Sequence, residues 1–290
     1  MKIGSLCTGY GGLDLAAEAY FNAETIWCAE FDKYASQVIE QRFGIPNHGD
    51  IKTIDWASLP QIDILTAGYP CQPFSHAGQR KGTDDPRHIW PHIAQAIGIL
   101  RPKLVILENV RGHLNLGFKE VLKDLAQLGF SARWGLIRAS DTGAPHRRER
   151  LFVIAQPTNS NGIGSNMGEC KSTQRHQGQS QSESCKCGEV IGNSSCQCKS
   201  YDWQMPKLGR RFASRCEMRM RRTPNPLDLD GKLNSKFVEY MMGLNEGWVT
   251  DLDLSRSQQL KMLGNGVVPQ QAYLAFQLML GYAQKCETCG

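Results

Sequence analysis

No run of this 290-residue chain stays apolar long enough to cross a bilayer. The opening MKIGSL lacks the basic and then apolar succession of a secretory signal and enters a strand pattern directly, so a soluble, cytoplasmic protein is expected. Glycine (29) and proline (13) reach no extreme, which excludes collagen-like and low-complexity chains. No internal repeat is visible. The balance of 33 basic against 28 acidic residues leaves a net charge of +5, too mild to say much except through its placement. Cysteine is not scarce, with eleven, but without a secretory signal a disulfide framework is the weaker reading. The length suits one large domain or a domain and a half, with ample core.

The first half alternates short apolar runs with amphipathic stretches. KIGSL, ETIWCA, IDILTAG, KLVILEN and LFVIA read as buried strands. Between them LDLAAEAY, KYASQVIEQRF and FKEVLKDLAQLGF have helical spacing, with Val121, Leu122, Leu125 and Leu128 on one apolar face. Strands alternating with helices imply an α/β fold, a Rossmann-like, doubly wound and mostly parallel sheet whose ligands gather at the carboxyl ends of the strands. Past Ala155 the character changes. Residues 157–200 hold very few large apolar side chains and cannot offset the entropy of ordering themselves. KLGRRFASRCEMRMRR (207–222) follows, with seven basic residues against Glu217. Order resumes at LNSKFVEYMMGL, and QQAYLAFQLMLGYAQ reads as a strongly apolar closing helix. The expected division is 1–156 as the α/β unit, 157–233 as a partly flexible region, and 234–290 as a second ordered segment.

Each motif that carries chemistry begins where a strand should end. GYPCQPFS (68–75) sets Cys71 between two prolines, in a stiff loop that is neither helix nor central strand. Such a loop presents a reacting thiol, or holds a cysteine with no task. CTGYGG (7–12) links the first strand to a helix, where glycines let backbone approach a ligand. Gly9, Gly11 and Gly12 crowd together, unlike the spacing of the dinucleotide fingerprint. Glu30 ends the second strand, where a carboxylate can accept from ribose hydroxyls; Phe31 beside it can stack on a purine, and Asp50 ends a third segment. The plainer readings are a solvated strand end, a core ring and a helix cap. ENV (108–110) places Glu108 just past a buried strand, suited to proton work on a heterocycle, or to a surface pair with Arg111. In HRRERLFVIA, alternation aims Arg148 and Arg150 at one place, as two guanidiniums gripping an oxygen would require, or as an ordinary charged strand end.

GYPCQPFSHAG, ENV, RRER and LGNGVVP, in that order, resemble the DNA cytosine-5 methyltransferases, in the form of small prokaryotic or phage members. The resemblance covers residues 1–155 and 234–285. It implies the S-adenosylmethionine-dependent methyltransferase fold and double-stranded DNA as substrate. It implies Cys71 as the nucleophile adding to carbon 6 of a flipped cytosine. Glu108 would then assist at ring nitrogen N3, with Arg150 and Arg148 holding the base oxygen and the catalytic loop. Gln72 to Arg87 looks like that closing loop. For the cofactor, the resemblance assigns Gly9, Gly11 and Gly12 to the glycine turn, Glu30 to the ribose and Phe31 to the adenine face. It assigns Asp50 with Ile51 to the adenine edge, and Asn265 with Val267 to the far wall. Cys7 replaces the family's usual aromatic, and His146 its usual Gln.

By the same resemblance the middle segment reads the DNA sequence. Its basic run suits phosphates, and Trp203 and Arg210 are candidates for base edges. CKC and CQC could ligate zinc with Cys170 or Cys216, but their C-x-C spacing without a following His favours a flexible cysteine-containing loop, and no metal is assigned. A monomer is expected, with a restriction endonuclease acting on the same site but not bound. The rival reading is a DNA- or cofactor-binding remnant that no longer transfers methyl groups. A nicotinamide dehydrogenase is disfavoured by the glycine spacing, and a dithiol oxidoreductase by the lack of a partner thiol near Cys71.

Overall fold

LVILENV is apolar in nearly every position, so a strand built from it must be covered on both faces. The computed structural model, which describes residues 1–70, 89–158 and 223–280, covers it so. Six strands, β1 (Lys2–Leu6), β2 (Glu24–Ala29), β3 (Ile64–Gly68), β4 (Leu104–Val110), β5 (Phe130–Arg138) and β6 (Glu149–Pro157), form one sheet in the order β2-β1-β3-β4-β6-β5. The first four are parallel; β6 runs antiparallel to both β4 and β5. Helices α1 (Gly12–Phe21), α2 (Lys33–Arg42), α3 (Trp90–Leu100), α4 (Phe118–Gln127), α5 (Ser235–Met241), α6 (Arg256–Asn265) and α7 (Pro269–Leu280) join them, with short 3-10 helices at Trp56–Ser58, Arg111–Asn115 and Ala139–Thr142.

Strand alternation divides the core. Val105 and Leu107 of β4 join Val153 of β6 in a cluster closed by Ile93 and Ile97 of α3 and Val121 and Leu125 of α4. Leu104 and Ile106 face the other way, with Phe152 and Ile154, toward Ala16 of α1 and Phe276 of α7. A third cluster joins Tyr10, Val38 and Ile39 to Trp248, Val249 and Leu263 of the C-terminal segment. The helices start where local chemistry says they should. Asp32 accepts from Tyr34 N and Ala35 N ahead of α2, and Ser255 with Gln258 forms a reciprocal cap on α6.

Three elements go beyond the sequence expectation: α3, α6 and β5. FSARWGLIR lacks a buried face: only its end residues Phe130 and Ile137 are buried, and Trp134 is half exposed. Its ladder with β6, an edge pairing supplied by tertiary context, makes it a strand.

The C-terminal segment returns to the sheet through crowded contacts. α7 lies against α1 and the β5–β6 pair. Tyr10, fully buried, donates its hydroxyl to Val267 O (2.6 Å), and Trp248 Nε1 donates to Tyr10 O (2.9 Å). Gln271 Nε2 donates to Ile137 O and Arg148 O, both at 2.7 Å. A side chain at Gly266 would overlap the Tyr10 ring, whereas Gly264 faces open space. Gly266→Ala is therefore expected to cost about 1–3 kcal/mol in a denaturant titration, while Gly264→Ala, inside α6, leaves stability unchanged or raises it.

Candidate active site

β1 is flanked by β2 on one side and β3 on the other, so the chain winds outward in both directions from the gap between β1 and β3. In such sheets this divergence opens a crevice beyond the carboxyl ends of the strands. Two of the candidate residues, Glu108 and Val267, meet there around the end of β3. Gly68 ends β3, and a side chain begun at Gly68 would lie 3.7 Å from Cys7 O, 3.7 Å from Glu108 Oε2 and 3.9 Å from a Val267 methyl. The ends of three strands and the C-terminal segment therefore meet around Gly68, at ordinary contact distances.

The three glycines after β1 do different work. Gly9 (φ +59°) has nothing within 4 Å of its missing side chain. At Gly11 (φ +83°) a side chain would strike the Phe43 ring, and at Gly12 the Val267 carbonyl and the Tyr10 ring. Gly11 and Gly12 thus serve protein packing, and Gly9 alone of the three faces open space. Glu30 Oε2 accepts from Gly9 N and its Oε1 from Asp32 N, each at 2.8 Å. Burial holds its carboxyl above the usual range despite those bonds. Next to it, Phe31 is 79% exposed. Asp50 accepts from Lys52 N through its side chain and from Thr53 N through its carbonyl, forming a turn over which Ile51 is buried. The Cys7 thiol is pushed up by burial and then by the charges of Glu30 and Asp50. It is poorly disposed to ionise.

Glu108 and Arg150 form a buried ion pair, Nε to Oε1 at 3.0 Å, with side chains 8% and 16% exposed. Burial pushes the Glu108 carboxyl up to about 7, although Arg150 and Arg148 both oppose the shift. Arg148 departs from the expected alternation. It precedes β6 with φ +23°, and its Nη2 donates to Gly264 O (2.9 Å) and Gly266 O (2.5 Å). Asn109 Nδ2 donates to Tyr69 O (3.2 Å), and the Tyr69 hydroxyl meets His113 Nε2 at 2.9 Å, so the loop leaving β3 is pinned to the end of β4. Cys71 lies outside the described residues, as do Gln72–Arg87, the basic run 207–222, Trp203, Arg210 and the cysteines of the middle and tail.

Sequence reasoning missed Tyr10, Trp248 and His113, whose roles are pairwise contacts between distant segments. It also missed Asp14, a buried carboxyl accepting from Thr66 Oγ1 and held up at about 7 by burial. Only its place in the first turn of a helix facing the sheet hints at this.

The arrangement is a buried carboxyl–guanidinium pair beside an open glycine turn, at the divergence of a mostly parallel sheet. Residues 1–184 match the model of the C-5 cytosine-specific DNA methylase family. The chain belongs to this family. Among curated relatives, the type II methyltransferase M.NgoBI of Neisseria gonorrhoeae is 39% identical over 154 residues, covering 51% of this chain and 48% of that protein. The type II methyltransferase M.HhaI of Haemophilus parahaemolyticus is 39% identical over 154 residues, covering 51% and 47%. The match thus spans about half the length of these relatives. The crystal structure of S. pombe Dnmt2 methyltransferase superposes with a TM-score of 0.62 at 17% identity, over 97% of this chain and 98% of that one, a likeness of fold. The sheet is that of the α/β methyltransferases.

Because the Arg150 charge opposes the burial of Glu108, Arg150→Met is expected to raise the Glu108 midpoint above about 7. A carboxyl-carbon NMR titration would read the shift directly; an unchanged midpoint would deny the pair.

Proposed function

We propose that this chain transfers a methyl group from S-adenosylmethionine to carbon 5 of cytosine in duplex DNA, through a covalent adduct between Cys71 and a flipped base. The observation that carries this reading is the buried Glu108–Arg150 pair at the end of β4, beside the strand that leads to Cys71 three residues past Gly68. Membership of the cytosine-5 family supports it.

The residues at the crevice suit an adenosine-bearing donor. Gly9 is open, the Phe31 ring is exposed for stacking, and Glu30 keeps acceptor capacity beyond its two backbone bonds, as ribose hydroxyls need. Asp50, with Ile51 beneath it, would bound the adenine edge, and Asn265 and Val267 the opposite wall. Gly11 and Gly12 shape this pocket through packing. S-adenosylmethionine, bound there, supplies an electrophilic methyl group.

Carbon 5 of cytosine is too weak a nucleophile unaided. The Cys71 thiolate adds to carbon 6, and the ring electrons pass to carbon 5 as Glu108, in its acid form, gives a proton or hydrogen bond to N3. Arg150 orients that carboxyl and faces the base oxygen. Carbon 5 takes the methyl group and loses its proton to a base, and the returning electron pair expels the Cys71 sulfur as N3 gives its proton back to Glu108. Stacking in the duplex hides the ring face that the thiolate must reach, so the cytosine leaves the helix. The segment 157–233 would choose the sequence. The names of the type II relatives support a restriction endonuclease acting on the same site.

Transfer of labelled methyl groups to mixed-sequence duplex, followed by bisulfite sequencing, tests this. Incorporation is expected for the wild type and abolished in Cys71→Ser. No incorporation, with cofactor and DNA still bound, would make the chain a binding remnant. Glu108→Gln should lower kcat about a hundred- to ten-thousandfold. The acid form of Glu108 predominates below about pH 7 and is lost as pH rises through that value. The wild-type rate should therefore carry a falling limb near there that Glu108→Gln removes.

A further inference from the structure

Two arginines two residues apart would serve one purpose if strand alternation governed both, yet they are bound to different parts of the molecule. Arg150 sits in β6 and meets Glu108. Arg148 sits before the strand, in a backbone conformation rare for any side-chain-bearing residue, and such strain persists only where the surroundings hold it. They do: Gln271 Nε2 (2.7 Å) and Ala139 N (3.2 Å) both donate to Arg148 O. The strained turn sends the guanidinium toward the C-terminal segment. There its Nη2 bridges the carbonyls of Gly264 and Gly266, the two residues flanking Asn265. The Tyr10 hydroxyl takes the next carbonyl, that of Val267.

We propose that Arg148 is a positioning residue for the methyl-donor pocket. It holds the Gly264–Val267 wall against the glycine turn, while Arg150 is the direct partner of Glu108 and faces the base. This rests on the donor reading above and replaces, for Arg148, a direct contact with the cytosine. A planar guanidinium suits the task because one nitrogen can address two carbonyls while the side chain remains charged in a partly buried place. Tyr10 is the second tie on the same wall, approaching from the glycine turn itself.

The test is calorimetric titration of the full chain with S-adenosylhomocysteine, beside duplex binding by fluorescence anisotropy. Arg148→Met is expected to weaken S-adenosylhomocysteine about ten- to hundredfold and leave duplex affinity unchanged. Arg148→Lys should recover part of the loss, and Tyr10→Phe should weaken the same ligand by a smaller factor. If Arg148→Met fails to fold, the Lys and Phe variants carry the comparison. Unchanged S-adenosylhomocysteine affinity in both, or a loss confined to duplex binding or to kcat, would overturn the proposal. A wild type that binds duplex but no S-adenosylhomocysteine would overturn the donor reading and this inference together. A wild type that binds it, with variants indistinguishable, would overturn the inference alone.

Discussion

Tyr10 is buried inside the turn that follows β1, and its hydroxyl and carbonyl are both taken by residues more than two hundred positions away. Its hydroxyl holds Val267 and its carbonyl receives the Trp248 indole. A buried phenol without a partner is costly, so this ring is stable only when the C-terminal segment is in place. The neighbouring glycines share the constraint. Gly12 and Gly266 are the close approaches that let the two segments interlock, and Phe43 closes over Gly11 from the side of α2. The glycine turn is thus shaped by packing from behind, leaving Gly9 as its open face.

At the end of β4 the electrostatics are set by burial: Glu108 is buried beside Arg150 of the paired strand β6. Desolvation outweighs the attraction of both guanidiniums, and the carboxyl is held near neutrality. Glu149, the residue before Arg150, shows the contrast. Its carboxylate, bonded by both Arg138 and Arg111, is held below the usual range. Two carboxylates with guanidinium partners, on adjacent strands, are pushed in opposite directions because burial dominates at Glu108 and direct bonds from two guanidiniums dominate at Glu149.

Family membership and the fold agree, but they reach different lengths of the chain. The family model covers residues 1–184, the curated relatives match about half of their own length, and the fold likeness to Dnmt2 runs over nearly all of the chain. The N-terminal part of the sequence therefore carries the kinship in its residues. The likeness of the remainder is one of fold.

Much of this was legible in the order of residues. Apolar runs placed five of six strands, because a strand buried on both faces must be continuously apolar. The residues Glu30, Glu108 and Arg150 could be singled out because each is a charge near one end of a buried strand, Glu30 just past β2, Glu108 near the end of β4 and Arg150 near the start of β6, a placement that local sequence records. The β5 strand was not legible, since an edge strand with half-exposed side chains has no period of its own and is formed by its partner. Nor were the separate tasks of Arg148 and Arg150. Spacing put them on one face, but the strand begins only at Glu149, and the backbone turn held by Gln271 and Ala139 sends Arg148 elsewhere. The sequence by itself determined which groups stand at the crevice. Tertiary packing decided which of them face open space and which are tied to other parts of the chain, because close approaches and desolvation depend on neighbours that lie far away along it.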